Sequence, residues 1–348
     1  MFSLASKHND PNASLAWSER IGYGTGGFAF NMINGIIGSF LTIYFTSTVG
    51  LNAGIIATIF AISKVFDGIS DVIVGRMVDR TKSKLGKGRS WLLRMCIPFG
   101  ITTMLLFFVP QNFPEMAQYV YIFLMYNIVN AVCLTGMLVP YYSMISLMTA
   151  NPYERGFLGN IQQIFQTLGN VVVNSTFVTL LGIFTSSTEN IYTQRAFTIT
   201  MLIYCIAMIV ITIFSVFSTK ERVHSAESAE EDVKALFKNK YWVIVTVASF
   251  VVFFVIIMYA MGNVYYCQYV LYDMGQYSWV SNSISIAQFA VMFVTPAFMK
   301  KFGKTAVYEA GMVVMGLGFL GFAVFGGSST IVMIIFNVLK GCGVGMAG

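Results

Sequence analysis

The 348-residue sequence predicts an all-α integral membrane protein with about ten membrane-spanning helices, and three observations lead there. First, 56% of the residues are hydrophobic and only 10% are charged, with a mean hydropathy of +0.72. A soluble domain carries about 25% charged residues to cover its surface. A chain this poor in charge cannot hide its apolar surface in one core and needs lipid as a second solvent. Second, apolar runs recur at about the 20 residues that a helix needs to cross roughly 30 Å of hydrocarbon. Third, Lys and Arg gather in alternate connecting segments, which is how membrane topology is written. The formal net charge of +6 therefore reads as topology, and no nucleic-acid partner is expected.

Taken in order, the spans are expected near 22–47, 52–77, 91–109, 117–147, 157–183, 195–217, 241–266, 278–299, 305–326 and 329–348. Lipid offers no partners to open backbone groups, so each must be helical. Met1 to Arg20 is polar, so no cleavable leader is expected. Alternate loops hold 17 of the 21 basic residues, among them Arg76, Arg80, Lys82, Lys84, Lys87 and Arg89, whereas the intervening loops hold only Arg195. That asymmetry places the N-terminus in the cytoplasm, in a multi-pass protein of the inner (plasma) membrane. The five cysteines are scattered with no CxxC pair and read as packing residues.

The polar loop 219–240 divides an N-terminal six-helix bundle, 1–218, from a C-terminal bundle, 241–348. The halves echo each other. Lys84-Leu85-Gly86-Lys87 stands between the second and third spans, and Lys301-Phe302-Gly303-Lys304 between the eighth and ninth. This points to a parallel duplication of the kind seen in major-facilitator transporters. Symmetry then expects twelve helices in two six-helix bundles, of which about ten are present, and a C-terminal truncation.

Ionisable groups in a span cost from about 2.5 kcal/mol upward and are usually functional. The second span has Lys64, Asp67 and Asp71, whose spacings of three and four put them on one helical face. Two carboxylates one turn apart repel in a low dielectric unless a cation, a proton or a lysine neutralises them. The set can hold Na⁺ between hard oxygens or titrate with H⁺; the bland alternative is a Lys64–Asp67 pair that fixes helix packing. Other polar groups point to one cavity: Asn31 and Asn34 in the first span, Asn127, Asn130, Thr135 and Tyr142 in the fourth, and Gln162, Gln163, Gln166, Asn170 and Asn174 in the fifth. Amides and aromatic rings suit a neutral polyhydroxyl ligand, although such residues also serve as interhelical glue. Tyr259, Asn263, Tyr265 and Tyr266 in the seventh span fit an interfacial belt. The loop 75–89, with Gly75, Asp79 and Arg80, reads as a gating latch in which Asp79 caps a neighbouring helix end, or as a contact for anionic membrane lipid.

The stretch Lys64-Val65-Phe66-Asp67-Gly68-Ile69-Ser70-Asp71, continuing to Gly75 and Thr81-Lys82-Ser83-Lys84-Leu85-Gly86-Lys87, resembles the signature of the glycoside–pentoside–hexuronide:cation symporters. These are the melibiose-permease relatives within the major facilitator superfamily. Gly24 through Asn31, Pro140-Tyr141-Tyr142-Ser143, Glu154-Arg155 and Thr219-Lys220-Glu221-Arg222 extend the likeness. It implies sugar uptake coupled to Na⁺, H⁺ or Li⁺, with Asp67 and Asp71 as cation ligands, Thr135 and Ser70 assisting them, and Lys64 as a charge partner. From the polar groups of the first, fourth and fifth spans, the expected substrate contacts are Asn31, Asn34, Asn127, Tyr142, Gln162 and Gln166. There are departures: a third family carboxylate falls at Leu138, a sugar-gripping aspartate at Asn31, an arginine at Gln162 and a tryptophan at Tyr142. The expectation is a cation-coupled sugar or glycoside symporter, a functional monomer without cofactor. The rivals are a carrier for lipid or another amphiphile and a non-transporting solute sensor. An enzyme is not expected: no Ser-His-Asp set or HExxH is found, and the two histidines, His8 and His224, lie in polar segments.

Overall fold

The computed structural model describes residues 14–185, 193–223, 238–247, 249–251, 254, 266, 270–272, 277–325 and 329–347. The tyrosine-rich stretch Tyr259, Asn263 and Tyr265 and most of the loop 219–240 lie outside the described residues. The chain forms two compact units, Met1–His224 and Ser225–Gly348.

In the first unit, α1 (Trp17–Ile43) runs into a π-helical end at Tyr44–Thr48. It is followed by α2 (Ala53–Asp79), α3 (Lys87–Leu106), and α4 (Glu115–Asn127), which continues through a π stretch, Ile128–Leu134, into α5 (Thr135–Met148). Two long helices complete it, α6 (Pro152–Phe184) and α7 (Gln194–Ser218). Short polar side chains start several of them. Asn52 accepts from the Gly54 and Ile55 amides, Asn151 from the Tyr153 amide beside a helix-starting Pro152, and Thr193 from the Ala196 amide.

Helix α1 packs along α6 and α7, and α3 along α7 and α5. Close approach is bought with small residues: a Cβ on Gly26 would sit 2.7 Å from Ser215 Oγ and 2.9 Å from the Tyr141 ring. Aromatic rings fill the core. Tyr23 stacks on Tyr141 at 4.5 Å, each phenol donating to the other's backbone carbonyl, at 3.2 Å from Tyr23 and 2.8 Å from Tyr141. Tyr44, Phe107, Phe177 and Phe197 form a second stack towards the opposite end.

The end of the unit at which α1 begins is tied by charge. Arg20 donates to both carboxylate oxygens of Glu154 at 2.8 and 3.0 Å, its guanidinium lying over the rings of Trp17 and Phe157. Arg222 does the same to Glu19 at 2.7 and 3.0 Å. Glu221 accepts from the Lys87 and Arg89 amides at 2.7 and 2.9 Å, which caps the first turn of α3. Gly86, at φ +104°, lets the chain turn there, and any Cβ on it would run into the Glu221 carboxylate. The expected cap was Asp79. It instead closes α2 with an exposed side chain, beside an exposed Arg80, and the cap comes from the far end of α7.

The described second unit contains α8 (Tyr277–Met292), α9 (Thr295–Phe302), α10 (Lys304–Phe325) and α11 (Thr330–Ala347). Helices α8 and α9 form one bent span, turning 50° at a break before Pro296, where the Thr295 hydroxyl donates to the Val291 and Gly345 carbonyls at 3.0 Å. Gly303, at φ +85°, precedes α10 just as Gly86 precedes α3, so the four-residue echo is conformational too.

Six described helical stretches are long and apolar enough to cross a membrane, or seven with the bent pair counted as one. The ten expected runs are recovered to within a few residues wherever they are described. Three fall short of that test for plain reasons: α3 includes Arg89 and Arg94, the run 241–266 is only partly described, and α11 is short.

Candidate cation and sugar site

Helix α2 is the least covered of the first unit, with Val65, Phe66, Ile69, Val72 and Ile73 exposed. Its opposite face meets α4, the π stretch and α5, and that face carries Ser63, Asp67 and Asp71, one turn apart. Two hydrogen bonds bracket Asp67. On one side Asn127 donates its amide to the buried Ser63 Oγ at 2.9 Å. On the other the Thr135 hydroxyl donates to Asp71 Oδ1 at 3.0 Å and lies 3.2 Å from the Asn130 carbonyl.

Lys64 Nζ lies 2.9 Å from Asp67 Oδ2, and Ser70 donates to the Asp67 carbonyl at 2.9 Å. The Lys64 side chain is 67% exposed and that of Asp67 20%, so the lysine reaches outward from a carboxylate that faces the bundle. The other carboxylate oxygen, Asp67 Oδ1, is buried and makes no hydrogen bond among the described residues; the same holds for Asn127 Oδ1.

The π stretch lies at this point of the fourth span. A π turn hydrogen-bonds over five residues rather than four, and single π turns gather at functional sites. Here it brings Thr135 onto Asp71 two turns after Asn127 meets Ser63.

The expected sugar set separates into parts. Asn31 donates to the Gln166 carbonyl at 2.7 Å, and Gln166 Nε2 lies 3.4 Å from the Tyr142 hydroxyl, whose residue is 48% exposed. These three come together on the faces of α1, α5 and α6. Gln162 does not join them: it is buried, and its side-chain oxygen accepts from Tyr23 at 2.8 Å, inside the aromatic core. One turn of α6 separates the two glutamines and leaves one buried and the other half-buried. Asn34 is exposed on α1, and Asn127 sits with the α2 carboxylates. Gly75 lies near the end of α2 with open space around it.

Two features have no signal in the sequence pattern. The Arg20–Glu154 and Arg222–Glu19 pairs join residues far apart in the chain, although Glu154 and Arg222 each lie in a stretch that carries the family likeness. Lys340, in an apolar glycine-rich run, is only 1% exposed in the second unit; its ammonium lies 4.6 and 4.8 Å from the ring centres of Phe322 and Phe319 and 3.5 Å from Asn337 Oδ1. Among the described residues no group of three His, Cys, Asp or Glu side chains could hold a metal ion.

Apolar helices of membrane length, carrying amides and carboxylates within their spans, define a multi-pass membrane carrier. The chain belongs to the major-facilitator family of sugar transport proteins, whose description, MFS/sugar transport protein, matches residues 22–348. It is 30% identical over 354 aligned positions to the isoprimeverose transporter of Lactiplantibacillus pentosus, covering 94% of this chain and 71% of that one. It is 31% identical to the putative glycoside/cation symporter YagG of Escherichia coli (strain K12) over 66% of this chain and 49% of that protein. Among solved structures, the E. coli fucose:proton symporter FucP superposes with a TM-score of 0.68 at 15% identity, over 94% of this chain and 81% of that one. The proton:xylose symporter XylE gives 0.62 at 14% identity, over 95% and 79%. The fold is that of the major facilitators, and the chain is a sugar transporter rather than an enzyme.

Proposed function

We propose that the protein is a symporter that moves a sugar or glycoside together with a monovalent cation, Na⁺ or H⁺, by alternating access. The observation that carries this is the row Ser63, Asp67, Asp71 on α2, held against Asn127 and Thr135 of the fourth span, with Lys64 on only one oxygen of Asp67. Two carboxylates a turn apart inside a membrane favour binding of a positive charge, and its release restores their repulsion. Binding and release are thereby tied to the state of the span. The names of the relatives, an isoprimeverose transporter and a glycoside/cation symporter, agree with this reading.

Asn31, Gln166 and Tyr142 are the proposed sugar contacts. Their amides donate and accept, and the half-exposed Tyr142 ring offers an apolar face for a pyranose. The chain works as a monomer in the plasma membrane with its N-terminus in the cytoplasm. The basic residues of the segment 76–89 then meet anionic headgroups on that side. Vesicles containing the protein are expected to accumulate a radiolabelled sugar from a panel of pentosides, hexosides and hexuronides when a Na⁺ or H⁺ gradient is imposed. Uptake that only equilibrates, whichever gradient is applied, would sink the symport reading.

A further inference from the structure

We infer that Tyr141 is a positioning residue of the sugar site, its buried phenol setting the places of Tyr142 and Gln166 without touching the sugar. The inference rests on the reading of Asn31, Gln166 and Tyr142 as sugar contacts and adds the group that holds them in register. Those contacts stand on α1, α6 and α5, and the same three helices meet a second time at Tyr23, Gln162 and Tyr141. The Tyr141 hydroxyl donates to the Tyr23 carbonyl at 2.8 Å. The Tyr23 hydroxyl stands 3.2 Å from the Tyr141 carbonyl and 2.8 Å from Gln162 Oε1, so one group ties α5 and α6 to α1. The two rings are stacked 4° from parallel, with Phe30 edge-on to Tyr141 at 4.7 Å, and both tyrosines are fully buried.

Each member of this lock has a sugar contact close by on its own helix. Tyr142 follows Tyr141 directly, and their rings lie 5.9 Å apart at 63°. Gln166 is one turn beyond Gln162 on α6. Asn31 is two turns beyond Tyr23 on α1, where Tyr23, Gly27 and Asn31 share a face. Gly27 is the point of convergence. A Cβ there would lie 2.8 Å from the Tyr141 hydroxyl, 3.4 Å from Gln166 Cγ and 3.5 Å from the Gln162 carbonyl. Its bare Cα thus lets the phenol and the amide side chain approach α1 together. One turn further on, Asn31 donates to the Gln166 carbonyl at 2.7 Å.

Stacking alone lets two rings slide over one another, and directional hydroxyl bonds remove that freedom. Contacts that must meet several hydroxyls of one sugar lose affinity when they move independently, because they are then ordered only at the moment of binding. Loss of the phenol should therefore fall on substrate affinity rather than on the fold. Tyr23 lies inside α1, so its carbonyl belongs to the helix ladder whether or not the phenol is present.

The test measures KM and Vmax of uptake in vesicles holding the full chain. The probe is whichever radiolabelled methyl pentoside, methyl hexoside or hexuronide the wild type takes up fastest. Tyr141→Phe keeps the ring and deletes the hydroxyl; it is expected to raise KM about fivefold, the scale of one lost hydrogen bond, with Vmax unchanged. Tyr23→Phe, which releases Gln162, is expected to act in the same direction and serves if Tyr141→Phe does not fold. Tyr204→Phe is the control. It removes another phenol of the unit, 2.6 Å from Thr176 Oγ1 and beside Phe177 of the second aromatic stack, and should lower the melting temperature without moving KM. A merely structural Tyr141 would behave as Tyr204 does. KM unchanged in Tyr141→Phe and Tyr23→Phe, with KM raised in Gln166→Ala, overturns the inference and leaves the sugar contacts standing. An equal rise in Tyr204→Phe marks general loosening and overturns it too. KM unchanged in both Gln166→Ala and Tyr142→Ala overturns the contact reading, and the inference with it.

Discussion

Asp71→Asn and Asp67→Asn are each expected to abolish gradient-driven accumulation while leaving exchange of sugar down its own gradient measurable. Asparagine is nearly isosteric with aspartate, and at position 71 its oxygen still accepts from Thr135, so the packing of α2 on α5 is preserved. What disappears is a full negative charge. A unit charge about 4 Å from a cation is worth roughly 4 kcal/mol at the effective dielectric of such sites. The coupling ion should therefore lose two to three orders of magnitude in affinity, at about 1.4 kcal/mol per tenfold. The Asp67 change also leaves Lys64 without its partner, but that side chain is largely exposed, so folding suffers little. Counterflow in vesicles separates the two activities: counterflow kept and accumulation lost is the expected pattern. Accumulation kept in both variants would mean that the carboxylates serve only packing.

The second large effect concerns stability. Glu154→Ala should destabilise the protein by about 3–5 kcal/mol, the loss typical when one partner of a buried ion pair is removed. Arg20 is held by two hydrogen bonds to that carboxylate and by the rings of Trp17 and Phe157, and its side chain is mostly buried. Without Glu154 it is left as a buried charge with no counter-charge at the junction of α1 and α6. The double replacement Arg20→Met with Glu154→Leu is expected to recover most of the loss, because an apolar pair of similar volume needs no desolvation of charge. Thermal melting in detergent of Glu154→Ala and of the double variant checks both statements. If Glu154→Ala melts like the wild type, the pair contributes nothing to the unit.

Much of this was legible in the linear pattern because hydrophobic length and charge placement are local properties. Helices α2, α6, α7 and α10 begin and end within a few residues of the runs that hydropathy marks. The face shared by Lys64, Asp67 and Asp71 follows from spacing alone, and the echo at Gly86 and Gly303 returns as two positive-φ turns before helices. What spacing cannot show is which of several polar residues on one helix turns inward. Gln162 and Gln166 differ by a single turn, yet the first closes on Tyr23, 139 positions away, and the second lies beside Tyr142. The Asn127–Ser63 hydrogen bond joins two different spans, and no spacing within either one shows it. The Glu221 cap joins segments 134 positions apart, and only the folded bundle brings a carboxylate from the end of α7 to the first turn of α3. Lys340 was hidden by the strength of the apolar signal around it.

The π stretch at Ile128–Leu134 has a consequence for how such carriers diverge. In a regular α-helix each residue advances the chain by about 100° around the axis. Deleting a single codon within that stretch would let the wide turn relax to a regular one and leave both flanking halves of the fourth span embedded as before. The lost residue would be absorbed by the backbone rather than by the bundle. Thr135 and Asn127 would then be presented to α2 with a changed phase, with no point substitution at either position. A one-residue length change in the middle of a membrane span is normally read as ruinous; here it is a compact genetic route by which a lineage could re-aim two polar side chains at once.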